Sequence, residues 1–331
     1  MDILKKIKSM TTNTGIYQHG RLNKPAPEFG YALEDQSRAL LVANYADDHA
    51  LKKIYIDFIV RAKRKDGLLY HFYFEDDKDG IFKNSENGLK PNTELAFAIT
   101  LWNLLTVYKN KRINKDIEPI LDRLIKEAFK WTSARAMATA ILGFATLGDT
   151  SREEEILKNK LQQLFINSAS GSWIWFEDYL CYANAIFPWC FWELYLKRKC
   201  RKSLEIAIKT TDFLIDTCQE SKIPCPIGNN GWYYKGSQKA LFDQQPIEAA
   251  YMVCCLEKAY EATGKELYLY WAKKWFGWFF GNNIKSISLL DNDYGCFDAL
   301  TPNGVNLNQG AESNICFLMA YFAAKRLDIL D

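Results

Sequence analysis

The 331 residues are 48% hydrophobic and 25% charged, and 42 basic against 40 acidic side chains leave a net charge of +2. That composition excludes a disordered chain, a collagen and a coiled coil, and the balanced charge gives no pull toward nucleic acid or an anionic membrane. The longest apolar stretches, such as 186–192 and 275–280, fall far short of the ~20 residues a membrane helix needs. No apolar run follows Lys5, Lys6 and Lys8, so no secretory signal is expected. Nine cysteines, with no C-x-x-C pair and mostly in apolar runs, predict buried free thiols in a reducing, cytoplasmic setting. Neither a structural metal nor a cofactor is expected.

From the N-terminus, residues 2–8 read as a truncated amphipathic helix. Residues 36–46 are nearly charge-free, and 50–63 are amphipathic. The alternation continues: 93–108 apolar, 116–130 amphipathic, 133–147 apolar, 151–166 amphipathic, 179–196 apolar, 201–219 amphipathic, 245–256 apolar, 265–280 amphipathic and 310–323 apolar. In 116–130 the apolar residues Ile117, Ile120, Leu121, Leu124, Ile125, Ala128 and Phe129 share one helical face. The opposite face carries Glu118, Asp122, Arg123, Lys126 and Glu127. In 133–147 the sole charge is Arg135, and in 179–196 it is Glu193. A helix apolar all round is buried on every side.

Six buried helices alternating with six amphipathic ones predict an all-α (α/α)6 toroid, an inner ring wrapped by an outer ring, with no substantial sheet. Gly-aromatic loops recur at Gly15, Gly67, Gly171, Gly231 and Gly295, with gaps of 52, 104, 60 and 64. One-sixth of the chain is about 55 residues, which matches that repeat better than the ~34 or ~40–47 of helical solenoids. No Pro-, Gly- or Ser-rich linker interrupts it, so residues 1–331 are expected to form one domain.

In such a toroid the starts of the inner helices share one funnel. Carboxylates, amides and aromatics cluster at those starts. The first opens with Glu34, Asp35 and Arg38, the second with Asn92-Thr93-Glu94. The fourth follows Trp173, Trp175, Glu177 and Asp178, then Tyr182 and Asn184. The fifth opens with Asp243, Gln244, Gln245 and Glu248, and the sixth with Gln309 and Glu312. Each acid has a plain alternative as a helix cap, and Pro246 just inside a helix start fits that alternative. Glu248 and Glu312 also have the alternative of pairing with Arg38 or Arg135. Capping does not require the tryptophans and tyrosines in the same loops. Tyrosine, tryptophan and phenylalanine make up 15% of the chain, and aromatic walls beside carboxylates suit a carbohydrate.

This reading assigns Asp178 as general acid, desolvated by the aromatic run before it, Asp35 as base, and Asp243 as a third catalytic carboxyl. Glu34, Arg38, Trp173, Trp175, Glu177, Tyr182, Asn184, Trp232, Tyr233, Gln244, Gln245, Glu248, Asp298, Gln309 and Glu312 are the expected substrate-binding residues. The predicted activity is hydrolysis or phosphorolysis of an oligosaccharide, a mannoside among the candidates. A glycan-binding module without turnover is one alternative. Another is a sugar epimerase or isomerase working through His19 or His71, since His49 sits in a charged stretch and reads as solvated. No G-x-S-x-G elbow, P-loop or dinucleotide fingerprint is present. The run Asp76-Asp77-Lys78-Asp79-Gly80, with Glu86 beyond it, is an incomplete match to a calcium loop.

Four stretches carry a wider likeness: Gly30–Leu40, Trp175–Ala185, Phe242–Ala249 and Asn306–Ser313. Through them the chain resembles six-hairpin glycosidase-like proteins, a group often joined to glycosyltransferases. The resemblance implies an (α/α)6 toroid, a carbohydrate substrate and a glycosyltransferase partner. Two departures stand out. Gln36-Ser37 replaces the Asn-Ala that precedes the Arg in relatives, and Ala183 stands where they carry an acid before Asn184.

Overall fold

A computed structural model of the chain describes residues 2–75, 80–85, 93–109 and 114–330. They form two compact units, one of Met1–Lys158 with Gly310–Ile315 and one of Asn159–Gln309 with Cys316–Asp331. Twelve α-helices occur among the described residues. They are α1 (Lys5–Met10), α2 (Leu33–Tyr45), α3 (His49–Arg61), α4 (Thr93–Tyr108), α5 (Glu118–Ala128), α6 (Ala134–Phe144), α7 (Arg152–Ser168), α8 (Ile186–Arg198), α9 (Arg201–Thr217), α10 (Pro246–Thr263), α11 (Glu266–Gly277) and α12 (Ala311–Arg326). The unit boundaries fall inside α7 and α12.

In the first unit α2, α4 and α6 pack side by side, with α3 against α2 and α5 against α4. Every residue of α6 is buried, as an all-apolar helix requires. Gly143 makes the α4–α6 contact close, because a Cβ there would lie 2.8 Å from the Trp102 Cα. On α5 the buried residues Ile120, Leu121, Leu124 and Ala128 form the stripe expected from spacing. Polar groups tie the helices at defined points. Ser37 and Thr100 hydroxyls hydrogen-bond at 2.9 Å between α2 and α4. The Gln36 amide donates to the Ile16 carbonyl at 2.7 Å, and its oxygen accepts from the Ile16 N–H at 2.8 Å. The carboxylate of Glu94 accepts from the Thr132 and Ser133 N–H groups at 2.8 and 2.7 Å, at the start of α6.

In the second unit α10 lies against both α8 and α11, and α9 against α8. The Trp192 indole donates to Thr211 Oγ1 at 2.8 Å, joining α8 to α9. Arg326 makes a two-pronged bond to Glu257, 2.6 and 2.7 Å, joining α12 to α10. All nine cysteines are free thiols, eight of them buried. Burial pushes the thiols of Cys225 and Cys254 up to about 11 and about 12, which leaves them unreactive at neutral pH.

The loops hold short antiparallel ribbons that the apolar patterns do not predict. Tyr31–Ala32 pairs with Phe72–Phe74, which pairs with Ile81–Lys83. Tyr179–Leu180 pairs with Tyr233–Tyr234. The expected helix 179–196 is therefore corrected: residues 179–185 are a strand and a turn, and the helix starts at Ile186. The calcium-loop residues Asp76–Asp79 and Glu86, and Asn92 at the second inner start, lie outside the described residues. No helix among the described residues is long and apolar enough to cross a membrane.

Replacing Glu94 with alanine removes the acceptor for two N–H groups at the start of α6. Urea unfolding is expected to show a loss of about 1–2 kcal/mol.

Candidate functional site

The first unit gathers its charged candidates at the start of α2. Gly30 sets the entry: its φ is +66°, and a Cβ there would meet the Tyr73 carbonyl at 2.4 Å. The ribbon that follows ends with the Leu33 N–H donating to the His71 carbonyl at 2.8 Å. Asp35 stands in the first turn rather than at the cap, which is Ala32. One turn on, Arg38 is only 3% exposed. Its guanidinium faces three carboxylates, Asp35 at 3.6 Å, Glu312 at 3.1 Å and Glu34 at 3.7 Å. Glu312 reaches it because the Ala311 N–H donates to the Gln18 carbonyl at 3.0 Å, seating the start of α12. A buried guanidinium needs such partners. Asp35 is buried, whereas the Glu34 and Glu312 side chains are each 41% exposed. The cluster therefore presents two solvent-facing carboxylates on a buried cationic base.

His71 completes this region. It is 4% exposed and stacks on Phe97 with ring centres 5.1 Å apart. Burial, with Arg64 nearby, lowers its pKa to about 4, so the ring is uncharged at neutral pH. Among the described residues its buried Nδ1 has no hydrogen-bond partner. His19 and His49 are both exposed. His49 is the first residue of α3, beside Asp47, which agrees with a solvated ring. Spacing did not single His71 out among the site residues. Its signal is its place just after a Gly-aromatic loop, opposite the start of α2.

In the second unit the structure separates the candidates into structural and accessible groups. Trp175 is fully buried, edge-on to Phe176 and Phe187, so it is a core residue and not a sugar contact. Trp173 is buried too, and its indole donates to the Glu177 carbonyl at 2.8 Å. Glu248 is buried at the start of α10. Its carboxylate accepts from the Ala183 N–H, from the Asn184 N–H at 3.3 Å and from the Asn184 amide at 2.9 Å. Asn184 closes the same turn through Cys181, accepting its N–H at 3.0 Å. Gln244 is buried, donating to the Leu241 carbonyl at 2.9 Å and accepting from the Trp278 indole at 3.0 Å. Gln309 donates to Asp291 at 2.6 Å and keeps a buried Oε1 without a partner.

Asp178 departs most from expectation. The aromatic run before it turns into the core, and the Asp178 side chain stays 74% exposed, 3.4 Å from the Lys235 ammonium. The desolvation on which its role as general acid rested is absent. Asp243, Gln245, Tyr182, Tyr233, Trp232 and Asp298 are part-exposed. Gln245, not Asp243, is the N-cap residue of α10, and its side chain makes no capping bond. Tyr179 and Tyr234, which spacing did not single out, lie beside Trp232 on the ribbon 179–180/233–234.

No protein-family model matches this sequence, and no curated protein matches it. Solved structures do share its fold. A D-mannose isomerase aligns with a TM-score of 0.71 and 10% identity, over 98% of this chain and 95% of that chain. A sugar epimerase from a ruminal bacterium aligns at 0.69 and 13% identity, over 96% and 95% of the two chains. The cellulase Cel9M of C. cellulolyticum aligns at 0.55 and 12% identity, over 96% and 88%. At such identities the likeness speaks for the fold alone. The chain is an all-α protein of the (α/α)6 toroid class, as its alternating helices predict.

Two stability measurements check these assignments. Glu248→Ala leaves the 183–184 backbone groups without their acceptor and is expected to lose about 2–3 kcal/mol, whereas Asp178→Ala should lose under about 1 kcal/mol. For His71, the unfolded ring takes up a proton near pH 6.5 and the folded ring only near pH 4. Stability therefore falls as pH drops through that window, by up to about 3 kcal/mol. Denaturant titrations at pH 7 and pH 4.5 should show a smaller acid-induced loss in His71→Asn than in the wild type.

Proposed function

We propose that this chain is a carbohydrate-active enzyme that moves a proton on a reducing sugar, an isomerase of the aldose–ketose kind, with the α2 cluster as its working centre. The observation that carries this reading is His71, an uncharged imidazole with an uncommitted Nδ1 whose backbone is bonded to the first residue of α2. Proton abstraction next to a sugar carbonyl needs a neutral base and a cation near the enediolate oxygens. His71 supplies the first and Arg38 the second. In the open-chain sugar, His71 takes the proton from C2 and returns it to C1. The hydroxyl proton passes between O2 and O1 with Asp35, Glu34 or Glu312 as relay, so the product is an isomer and nothing is consumed. A single buried base suits transfer along one face of the enediol; epimerisation needs a proton delivered from the other face. The fold likeness to a D-mannose isomerase and a sugar epimerase supports this class.

A second reading, hydrolysis of a glycosidic bond, is favoured by the two solvent-facing carboxylates on Arg38. Under it Asp35 is the base. The free thiols support a cytoplasmic setting. A glycosyltransferase partner rests on the family resemblance alone.

Proton NMR in D2O, with free aldoses, ketoses and manno-, gluco- and galacto-oligosaccharides, separates the readings. Isomerisation places deuterium on C1 or C2 of a free sugar and is expected to fall at least 100-fold in His71→Asn and Arg38→Met. Shortened oligosaccharides, lost in Asp35→Asn and retained in His71→Asn, would establish hydrolysis instead.

A further inference from the structure

The ribbon formed by residues 179–180 and 233–234 sorts its aromatic side chains by face. Successive strand residues point to opposite sides. Tyr233 turns inward, with its ring centre 5.3 Å from that of buried Trp173. Trp232 and Tyr234 go the other way and meet Tyr179 from the paired strand. The Tyr179 and Trp232 rings lie 6.2 Å apart with planes only 19° from parallel. Tyr234 closes the group at 6.0 Å from Tyr179 and 6.5 Å from Trp232, and it is 50% exposed. The Trp232 indole is held by Asn229 at 3.3 Å. The polar groups at the edge are of both signs: exposed Asp178, Lys235 at 3.4 Å from it, and the Glu177 carboxylate, which accepts from the Tyr179 hydroxyl at 3.1 Å.

We infer that this aromatic ribbon is a binding subsite for a glycan chain, holding sugar units by stacking their C–H faces on Tyr179, Trp232 and Tyr234. The near-parallel Tyr179 and Trp232 rings, with Tyr234 tilted by 45° and 38° against them, offer apolar ring faces to the C–H faces of pyranoses; an apolar helix would need a groove instead. A rim bearing a carboxylate pair and an ammonium can accept from and donate to hydroxyls, and it favours a neutral polyol over a strongly charged partner of either sign. The inference rests on the carbohydrate reading and narrows it: the substrate class is an oligosaccharide or the end of a longer glycan, not a monosaccharide alone. It also gives the motif around Asp178 a role in binding that the loss of its desolvation leaves open.

The test is binding, read apart from turnover. Manno-, gluco- and galacto-oligosaccharides of two to six units are titrated into the full chain by calorimetry. The wild type is expected to bind longer chains more tightly than disaccharides. Tyr234→Ala and Trp232→Ala should each weaken the hexasaccharide by about fivefold or more, with less effect on the disaccharide. Tyr234→Phe, which keeps the ring, should bind as the wild type does and so excludes a general effect on folding. Equal affinity for short and long chains, or hexasaccharide binding untouched by both alanine variants, would overturn the inference. So would ribbon-dependent binding of a proline-rich peptide without any glycan binding. A chain that binds hexasaccharides through the ribbon but converts no sugar would sink the proposed activity and leave the subsite standing.

Discussion

A guanidinium cannot be buried without partners, and the arrangement of the first unit's polar residues follows from that constraint at Arg38. Moving an unpaired charge out of water is costly by several kcal/mol, so the chain must bring acids to it. Two come from the same helix, at the preceding turn. The third comes from α12, hundreds of residues away in sequence, and needs a docked backbone to deliver it. Gln36, one step from Asp35, fixes the N-terminal segment through both the nitrogen and the oxygen of its side-chain amide, and that segment in turn seats the start of α12 through Gln18. The residues that stabilise the buried cation are also those that face solvent with carboxylates.

Aromatic residues show a similar division by position. Between 173 and 176 they fill the core, with Trp175 and Phe176 in edge-on contact, and their apolar surface holds the loop against the second unit's helices. Between 232 and 234 the strand period divides them, one ring inward and two outward. An aromatic beside an acid is thus not in itself a sign of a sugar site. The side to which the backbone turns it decides between packing and recognition.

The architecture was legible from periodicity because burial imposes it directly. All-apolar stretches can be stable only when surrounded, and α4, α6, α10 and α12 are where that reading expects them. The loop ribbons were not legible: two- and three-residue strands bury too little to leave a pattern, and Tyr179 to Ala185 read as helix through their apolar character. Which candidate residues the fold brings together was legible in part. Glu34, Asp35, Arg38 and Glu312 do come together. Glu248, Asn184, Gln244 and Trp175 share the same motifs, yet their side chains are taken up by backbone groups or by the core. Nothing in residue type distinguishes a carboxylate that faces solvent from one that holds a turn, since both need polar neighbours. His71 was legible as a candidate base only alongside His19, because what sets it apart, a buried Nδ1 and the stacking on Phe97, belongs to the folded chain.

The central claim is that an uncharged His71 belongs to the place where sugar binds. Nitrogen-15 NMR of histidine-labelled protein tests it directly. The account predicts one ring that stays neutral down to about pH 4 and whose resonances, assigned by loss in His71→Asn, shift when sugar is added at pH 7. A His71 ring that titrates near pH 6.5, or one whose resonances stay fixed while sugar binds, would contradict it.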